Sequence, residues 1–277
     1  MKIEVASISG NKEIARGIWK MDFDCPNIAN NVSGPGQFIN IKVDPSWEIP
    51  LRRPMSIAGV KGEKITIIYK LFGKGTKILS ELRPGQSINI LGPLGNMFTT
   101  SDKDSFPILV GGGVGIAPIL WLHNELNIKS VSHILIIGAT TAEEHFLQHN
   151  PDKNIFLTTD DGSMGELGTV VPTMESKLKE VTSRSFGIIY ACGPTPMLKA
   201  IHRITTGYKI DCQMALESYM GCGIGICQSC VIERKNDSPK EHSYGKRFSL
   251  VCRDGPVYSA DKVILSSRYF KVSGKKT

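Results

Sequence analysis

Four cysteines towards the C-terminal end restrict this chain more than any other feature. Cys222, Cys227 and Cys230 lie in Glu217-Ser-Tyr-Met-Gly-Cys-Gly-Ile-Gly-Ile-Cys-Gln-Ser-Cys230, and Cys252 follows after a long interval. A C-x4-C-x2-C run with a distant fourth cysteine is the plant-type ligand pattern of a [2Fe–2S] cluster. Each iron takes two thiolates and shares two bridging sulfides, so four cysteine sulfurs complete two tetrahedral sites. Gly221, Gly223 and Gly225 suit a loop that must turn its amides inward around such a group, because glycine reaches unusual φ values at little steric cost. A structural zinc site would pair its cysteines as C-x2-C twice over, and here one such pair exists. Buried free thiols are the other alternative.

The length, 277 residues, gives room for two or three compact units. With 41% apolar and 21% charged residues the composition is that of an ordinary globular protein. No apolar run of about 18 residues is present, so no membrane-spanning helix is expected. The opening Met1-Lys-Ile-Glu-Val has no signal-peptide core. Seven cysteines, four of them at cluster spacing, argue against a disulfide scaffold and for a reducing cytoplasm. The formal charge is +7, but its positive residues are scattered, apart from Lys271, Lys275 and Lys276. No RNA-binding signature or basic helix with interleaved aromatics accompanies it, so nucleic acid is not the expected partner. A solvated surface and a docking face for an acidic protein remain as readings of the charge.

Along the chain, the first hundred residues read as short antiparallel strands. Ile39, Ile41 and Val43 alternate on one face, the stretch from Lys64 to Leu71 alternates likewise, and Ser87–Ile90 forms a third run. Turn sequences at Gly34-Pro-Gly36, Arg83-Pro-Gly85 and Leu91-Gly-Pro-Leu-Gly95 bound them, which suggests a small barrel. Near residue 104 the pattern changes. Apolar strands at 106–110, 133–138, 154–158 and 186–190 are separated by helix-length segments, as in an open parallel α/β sheet. From about residue 207 the chain is short of helix and rich in Gly and Cys, too small for a large core, so a cluster would have to staple it. The expected units are 1–102, 103–206 and 207–277. The segment from Asn236 to Gly245 reads as a polar loop.

Three further motifs carry chemistry. Gly111, Gly112, Gly113 and Gly115 with Pro118 lie between a strand and a helix, where amides and the helix dipole attract phosphate. A structural turn is the alternative, and the spacing is not that of the two-half dinucleotide fold. Cys192, Gly193 and Pro194 follow the last α/β strand, at the strand end where such sheets bind ligands. There Cys192 either lines a nicotinamide pocket or is a small buried cysteine. Arg52 and Arg53 precede Pro54, Met55 and Ser56; a guanidinium with a hydroxyl three residues on can bind a diphosphate, although such arginines are often surface residues. Downstream of the second α/β strand, Glu143 and Glu144 could accept from an adenosine 2′-hydroxyl and repel a 2′-phosphate, which predicts a preference for NADH; Thr140 and Thr141 could instead bind phosphate.

Together these segments resemble the ferredoxin reductase superfamily, and within it the electron-transfer subunits of type 1B dihydroorotate dehydrogenases. The resemblance rests on Arg53-Pro-Met-Ser56, Gly73-Lys-Gly-Thr76, Gly92-Pro-Leu-Gly95, Gly111 to Pro118, Thr159-Asp-Asp-Gly-Ser163, Cys192-Gly-Pro194, Glu217 to Cys227 and Cys252-Arg-Asp-Gly-Pro256, in the same order over nearly the whole chain. It implies an FAD-binding antiparallel β-barrel, a parallel α/β domain for NAD(H) and a small [2Fe–2S] domain. It implies that Arg53, Pro54, Met55 and Ser56 hold the flavin, that Tyr69, Lys70, Leu71, Gly75 and Thr76 complete its pocket, and that Cys222, Cys227, Cys230 and Cys252 ligate the cluster. Many superfamily members carry Tyr where Met55 stands, so the usual aromatic stacking on the flavin is absent.

The resemblance further implies a cytoplasmic oxidoreductase that relays electrons between NADH and a partner subunit carrying FMN and acting on dihydroorotate and orotate, in a complex of two copies of each subunit. No general acid or nucleophile is required, and the six histidines, His123, His133, His145, His149, His202 and His242, form no ligand pattern. Two competing readings are the small subunit of an NADH-dependent ferredoxin:NADP oxidoreductase or sulfhydrogenase, which differs in its partner, and a non-enzymatic iron–sulfur redox sensor, which would lack flavin.

Overall fold

The structure, a computed structural model, describes residues 1–44, 46, 48–100, 105–182, 186–235 and 247–265. The polar stretch 236–245, with His242, and the lysines at 271, 275 and 276 lie outside the described residues.

Six antiparallel strands close into a barrel in the order β1-β2-β5-β4-β3-β6. They are β1 (Lys2–Ala15), β2 (Ile18–Asp24), β3 (Phe38–Lys42), β4 (Arg53–Lys61), β5 (Lys64–Lys70) and β6 (Ser87–Leu94). The alternation visible in the sequence points inward: Ile39, Ile41, Ile65, Ile67, Tyr69, Ile88 and Ile90 share one core. Strand β1 breaks this rule. Its Ile3 and Val5 are 66% and 65% exposed, whereas Glu4, on the alternate face, accepts from the amides of Asn27 and Ile28 at the start of α1 (Pro26–Ala29). Helix α2 (Gly73–Glu81) follows β5.

The middle unit is a seven-stranded sheet. Its parallel strands are β7 (Ser105–Gly112), β8 (Ile134–Ala139), β9 (Ile155–Thr159), β10 (Glu166–Leu167), β11 (Phe186–Cys192) and β12 (Asp211–Ala215), ordered β10-β9-β8-β7-β11-β12. Strand β15 (Val257–Ser259) adds antiparallel to β12. Helix α3 (Ile116–Ile128) covers one face, against Leu109, Leu135, Ile137 and Leu157. Helices α4 (Val170–Thr182) and α5 (Thr195–Tyr208) cover the other, against Ile108, Val110, Ile136 and Ile189. Strands covered on both faces read as unbroken apolar runs, which is why they stand out in the sequence. The sheet continues past the expected boundary at 206, because β12 pairs with β11 over Ile188 to Cys192.

Beyond β12 the chain enters a loop without ladder pairing. It then forms a three-stranded sheet, β14-β13-β16, from β13 (Val231–Arg234), β14 (Phe248–Leu250) and β16 (Val263–Ile264), with the one-turn helix α6 (Val251–Asp254) after β14. Asn96, just past the barrel, pins this unit: its Nδ2 donates to the carbonyls of Asp254 and Val257, and its Oδ1 accepts from the Val257 amide.

Two histidines do meet. His123 Nδ1 lies 2.7 Å from His133 Nε2, and His133 Nδ1 lies 2.7 Å from the Val131 carbonyl. With Asn127 Nδ2 donating to His123 Nε2 and His133 Nδ1 donating to Val131, both rings are neutral and His133 accepts from His123. Burial and the neighbouring His133 push His123 down to about 4, and burial lowers His133 as well. A folded value below the ordinary 6.5 means the contribution is complete above pH 6.5 and is lost as the pH falls towards 4. Urea midpoints measured across that window fall less steeply in His123→Gln than in the parent; equal slopes would contradict this.

Candidate functional site

The barrel wall has an opening between β4 and β5. The ladder between β4 and β5 runs from Lys61↔Lys64 to Ile57↔Ile67 and stops there. Arg53–Ser56 therefore pair only with β3, and Ile68–Lys70 only with β2. Two backbone edges face each other across this gap, next to the start of α2. A Cβ placed on Gly75 would lie 2.9 Å from Arg53 Nε, so the glycine lets helix and guanidinium meet. The first turn of α2 has no side-chain cap, and the Phe72 amide donates to Thr76 Oγ1 at 2.6 Å. Amides at a helix start beside an arginine make an anion site. Thus Arg53, Pro54, Met55, Ser56, Gly75 and Thr76 come together.

Three of the neighbouring expectations change. Arg52 is occupied inside the barrel rim, donating to the carbonyls of Asn40 and Asn89 and to Asn89 Oδ1. Tyr69 points into the barrel core, 2% exposed, with its hydroxyl on Asn11 Oδ1, so it offers a ligand only its backbone edge. Lys70 reaches out of the barrel to Glu144 at 2.7 Å. Arg16 likewise takes Glu143 at 2.6 Å. The two carboxylates expected to read the ribose thus tie the α/β unit to the barrel. Asp160 and Asp161, in the loop after β9, add exposed negative charge at this end of the sheet. The Ser163 hydroxyl and amide hold Asp161 below the usual carboxylate range.

The chain order switches sides between β7 and β11, the crevice where open α/β sheets bind ligands. Gly113 has φ +57° and nothing within 4 Å of a hypothetical Cβ, so it faces open space. Gly115 has the opposite reason to be glycine: a Cβ there would sit 2.2 Å from the Cys192 carbonyl oxygen. Gly112 and Gly193 both pack under Met197, and Gly112 also meets Pro194. Gly111 packs against Ile137. The turn 111–115 and the turn 192–194 therefore form one surface beside the N-terminus of α3. Pro118 is buried within α3 and serves packing. Cys192 is buried too, and burial followed by the charge of Glu217 raises its thiol far above the ordinary value, which keeps it neutral. Cys25 and Cys212 are likewise raised by burial, Cys25 to about 12.

The remaining four cysteines form two hydrogen-bonded pairs. Cys222 Sγ accepts from the amides of Ile224 and Cys227, and Cys227 Sγ accepts from the amide of Cys222. The Ser229 hydroxyl and amide, then the Cys222 amide, pull Cys227 down to about 6. Cys230 and Cys252 form a second pair: Cys252 lowers Cys230 to about 7, and Cys230 in turn raises Cys252. Gly223 and Gly225 carry the positive φ that turns the loop, +73° and +86°. Asp254 receives the Leu250 amide and the Ser249 hydroxyl, fixing the approach to Cys252. Among the described residues no group of three or more His, Cys, Asp or Glu is arranged for a single metal ion. Two sulfur pairs suit two irons better than one zinc. Ser229, Asn96 and Asp254 are the supporting residues that spacing alone did not single out.

Comparison with known proteins follows the same division. A family model for the iron-sulfur cluster binding domain of dihydroorotate dehydrogenase B matches residues 217–264. The dihydroorotate dehydrogenase B (NAD(+)) electron transfer subunit of Fusobacterium nucleatum is 36% identical over 269 residues, covering 95% of this chain and 99% of that one. This chain belongs to that family. The corresponding subunit of Bacillus pumilus is 37% identical over 272 residues, covering 96% and 100%. Among solved structures, an NADH-dependent reduced ferredoxin-NADP oxidoreductase chain superposes with a TM-score of 0.75 at 26% identity, over 95% of this chain and 90% of that one. Phthalate dioxygenase reductase, at 17% identity and a TM-score of 0.60 over 90% and 94%, shares the fold. No helix among the described residues is long and apolar enough to cross a membrane.

Proposed function

We propose that this chain holds FAD and a [2Fe–2S] cluster and passes electrons between NADH and a partner dihydroorotate dehydrogenase subunit that carries FMN. The observation that carries this reading is convergence. The barrel touches both the crevice and the cysteine loop: α3 packs on β4, and Gly223 lies against Asn40 of β3. Helix α3 starts at the crevice and packs on β4, while the loop starts at Glu217, close enough to act on Cys192. FAD at the opening would take an electron pair as hydride from the nicotinamide, and the cluster would move electrons singly.

The chain's own residues supply binding and placement. Arg53 and the first amides of α2 neutralise the flavin pyrophosphate. Pro54, Met55 and Ser56 form one edge of the ring site, and the backbone of Tyr69, Lys70 and Leu71 forms the other. Gly111, Gly112, Gly113 and Gly115, with the start of α3, take the NADH pyrophosphate. Cys192, Gly193 and Pro194 wall the nicotinamide and exclude water. Cys222, Cys227, Cys230 and Cys252 ligate the irons.

Asp160 and Asp161 keep this end of the sheet negative, so NADH is preferred over NADPH. Steady-state diaphorase kinetics with both nucleotides check this; an equal or higher kcat/KM with NADPH would contradict it.

Exposed apolar side chains ring the cysteine loop: Ile226 is 76% and Tyr219 62% exposed. They form the docking face for the FMN subunit in a cytoplasmic complex of two copies of each. Ile226→Lys leaves the iron content unchanged and weakens partner capture by at least about tenfold, since a buried charge replaces an apolar contact. Unaltered affinity in a titration against the partner subunit would remove this face from the interface.

A further inference from the structure

Among the described residues, four buried side-chain polar atoms lack a hydrogen-bond partner, and two of them are Oδ1 and Nδ2 of Asn40. Asn40 is 1% exposed. Native proteins pair such groups, so an orphan amide in a packed region calls for a cause.

Its position supplies one. Asn40 lies on β3, opposite Pro54 of β4 on one side and Leu91 of β6 on the other. Ile39 and Ile41 point into the barrel core, whereas Phe38 packs outside it, so Asn40 also points outward. There it meets the cysteine loop. A Cβ on Gly223 would lie 2.0 Å from Asn40 Nδ2, so only glycine fits beside this amide. Gly223 directly follows Cys222, and the next amide, that of Ile224, donates to Cys222 Sγ at 3.4 Å. The unpaired amide thus stands on the strand that pairs with Arg53–Ser56 and faces the cysteine loop.

We propose that, once the [2Fe–2S] cluster is bound, Asn40 Nδ2 donates a hydrogen bond to a cluster sulfur beside Cys222, and that this bond raises the cluster's reduction potential. Hydrogen bonds to cluster sulfurs are one of the protein's means of setting this potential. A reduced cluster carries one more negative charge than the oxidised one, so a donor stabilises it more. The same contact fixes the loop against β3, the strand that pairs with Arg53–Ser56. The inference rests on the cluster reading above, and iron and sulfide analysis of the parent protein tests that reading before any variant is compared.

The experiment is a redox titration of the FAD-loaded, iron-loaded protein, with the cluster followed by EPR and the flavin by absorbance. In Asn40→Leu, an apolar residue of similar size, the cluster equilibrium shifts about tenfold towards the oxidised form, equal to about 59 mV for a one-electron couple. The flavin potential stays where it is. If Leu disturbs iron loading, Asn40→Val decides by the same measurement. A cluster potential equal to the parent's overturns the proposal, as does loss of the cluster in both variants, which would leave Asn40 a packing residue.

Discussion

Cys227→Ser yields a protein without its iron–sulfur absorbance and with essentially no electron delivery to the partner subunit. Cys227 is the exposed member of the first sulfur pair, already drawn to the thiolate form by Ser229 and two amides. A serine hydroxyl in its place stays protonated and is a poor iron ligand. Loss of the cluster reaches further than chemistry. The three-stranded C-terminal sheet is small, and the energy of binding metal is also folding energy. The C-terminal unit should therefore become sensitive to proteolysis while the barrel and the seven-stranded sheet stay folded. Flavin reduction by NADH should persist at close to the parent rate, because the β7–β11 crevice lies upstream of the loop. A normal cluster spectrum in Cys227→Ser would show the ligand assignment to be wrong.

Gly115→Ala lowers kcat/KM for NADH by about 100-fold with flavin and iron contents unchanged. The added methyl would lie 2.2 Å from the Cys192 carbonyl oxygen, a backbone atom that cannot swing aside. Either the turn 111–115 or the turn 192–194 has to retreat by about an ångström, and a displacement of that size costs about 10²-fold where two reactants must be aligned. The same overpacking destabilises the middle unit by about 1–3 kcal/mol. Steady-state reduction of ferricyanide by NADH gives the kinetic term, and thermal unfolding gives the second. Unaltered kcat/KM would remove the junction of β7 and β11 from the nucleotide site.

Much of the architecture is legible in the chain because burial is one-sided or complete. The inward residues of β3, β5 and β6 alternate, and the strands of the parallel sheet, covered on both faces, are apolar throughout. Strand β1 hides because its apolar Ile3 and Val5 face solvent while Glu4 faces α1. Strand β12 hides because it sits at the head of a cysteine-rich stretch whose composition does not show its pairing with β11. The site divides in the same way. Cysteine spacing and clustered glycines are constrained by local geometry, so they can be read directly. Side chains whose roles depend on distant neighbours cannot. Arg52 and Arg53 are adjacent, yet one is held at the barrel rim by Asn89 and the other borders Gly75. Glu143 and Glu144 look like nucleotide readers until Arg16 and Lys70 are seen to occupy them. Asn40 and Asn96 belong to no motif, and only the packing of the barrel against the C-terminal unit gives them a role.

Electrons entering from NADH are expected to leave through the cysteine loop. Anaerobic mixing of the purified chain with NADH, followed by absorbance and by rapid-freeze EPR, tests it most directly. The expected result is FAD and about two irons per chain, loss of flavin absorbance first, and then the EPR signal of a reduced [2Fe–2S] cluster. A chain with stoichiometric zinc and no iron, a chain without flavin, or a cluster that stays oxidised beside a fully reduced flavin would contradict it.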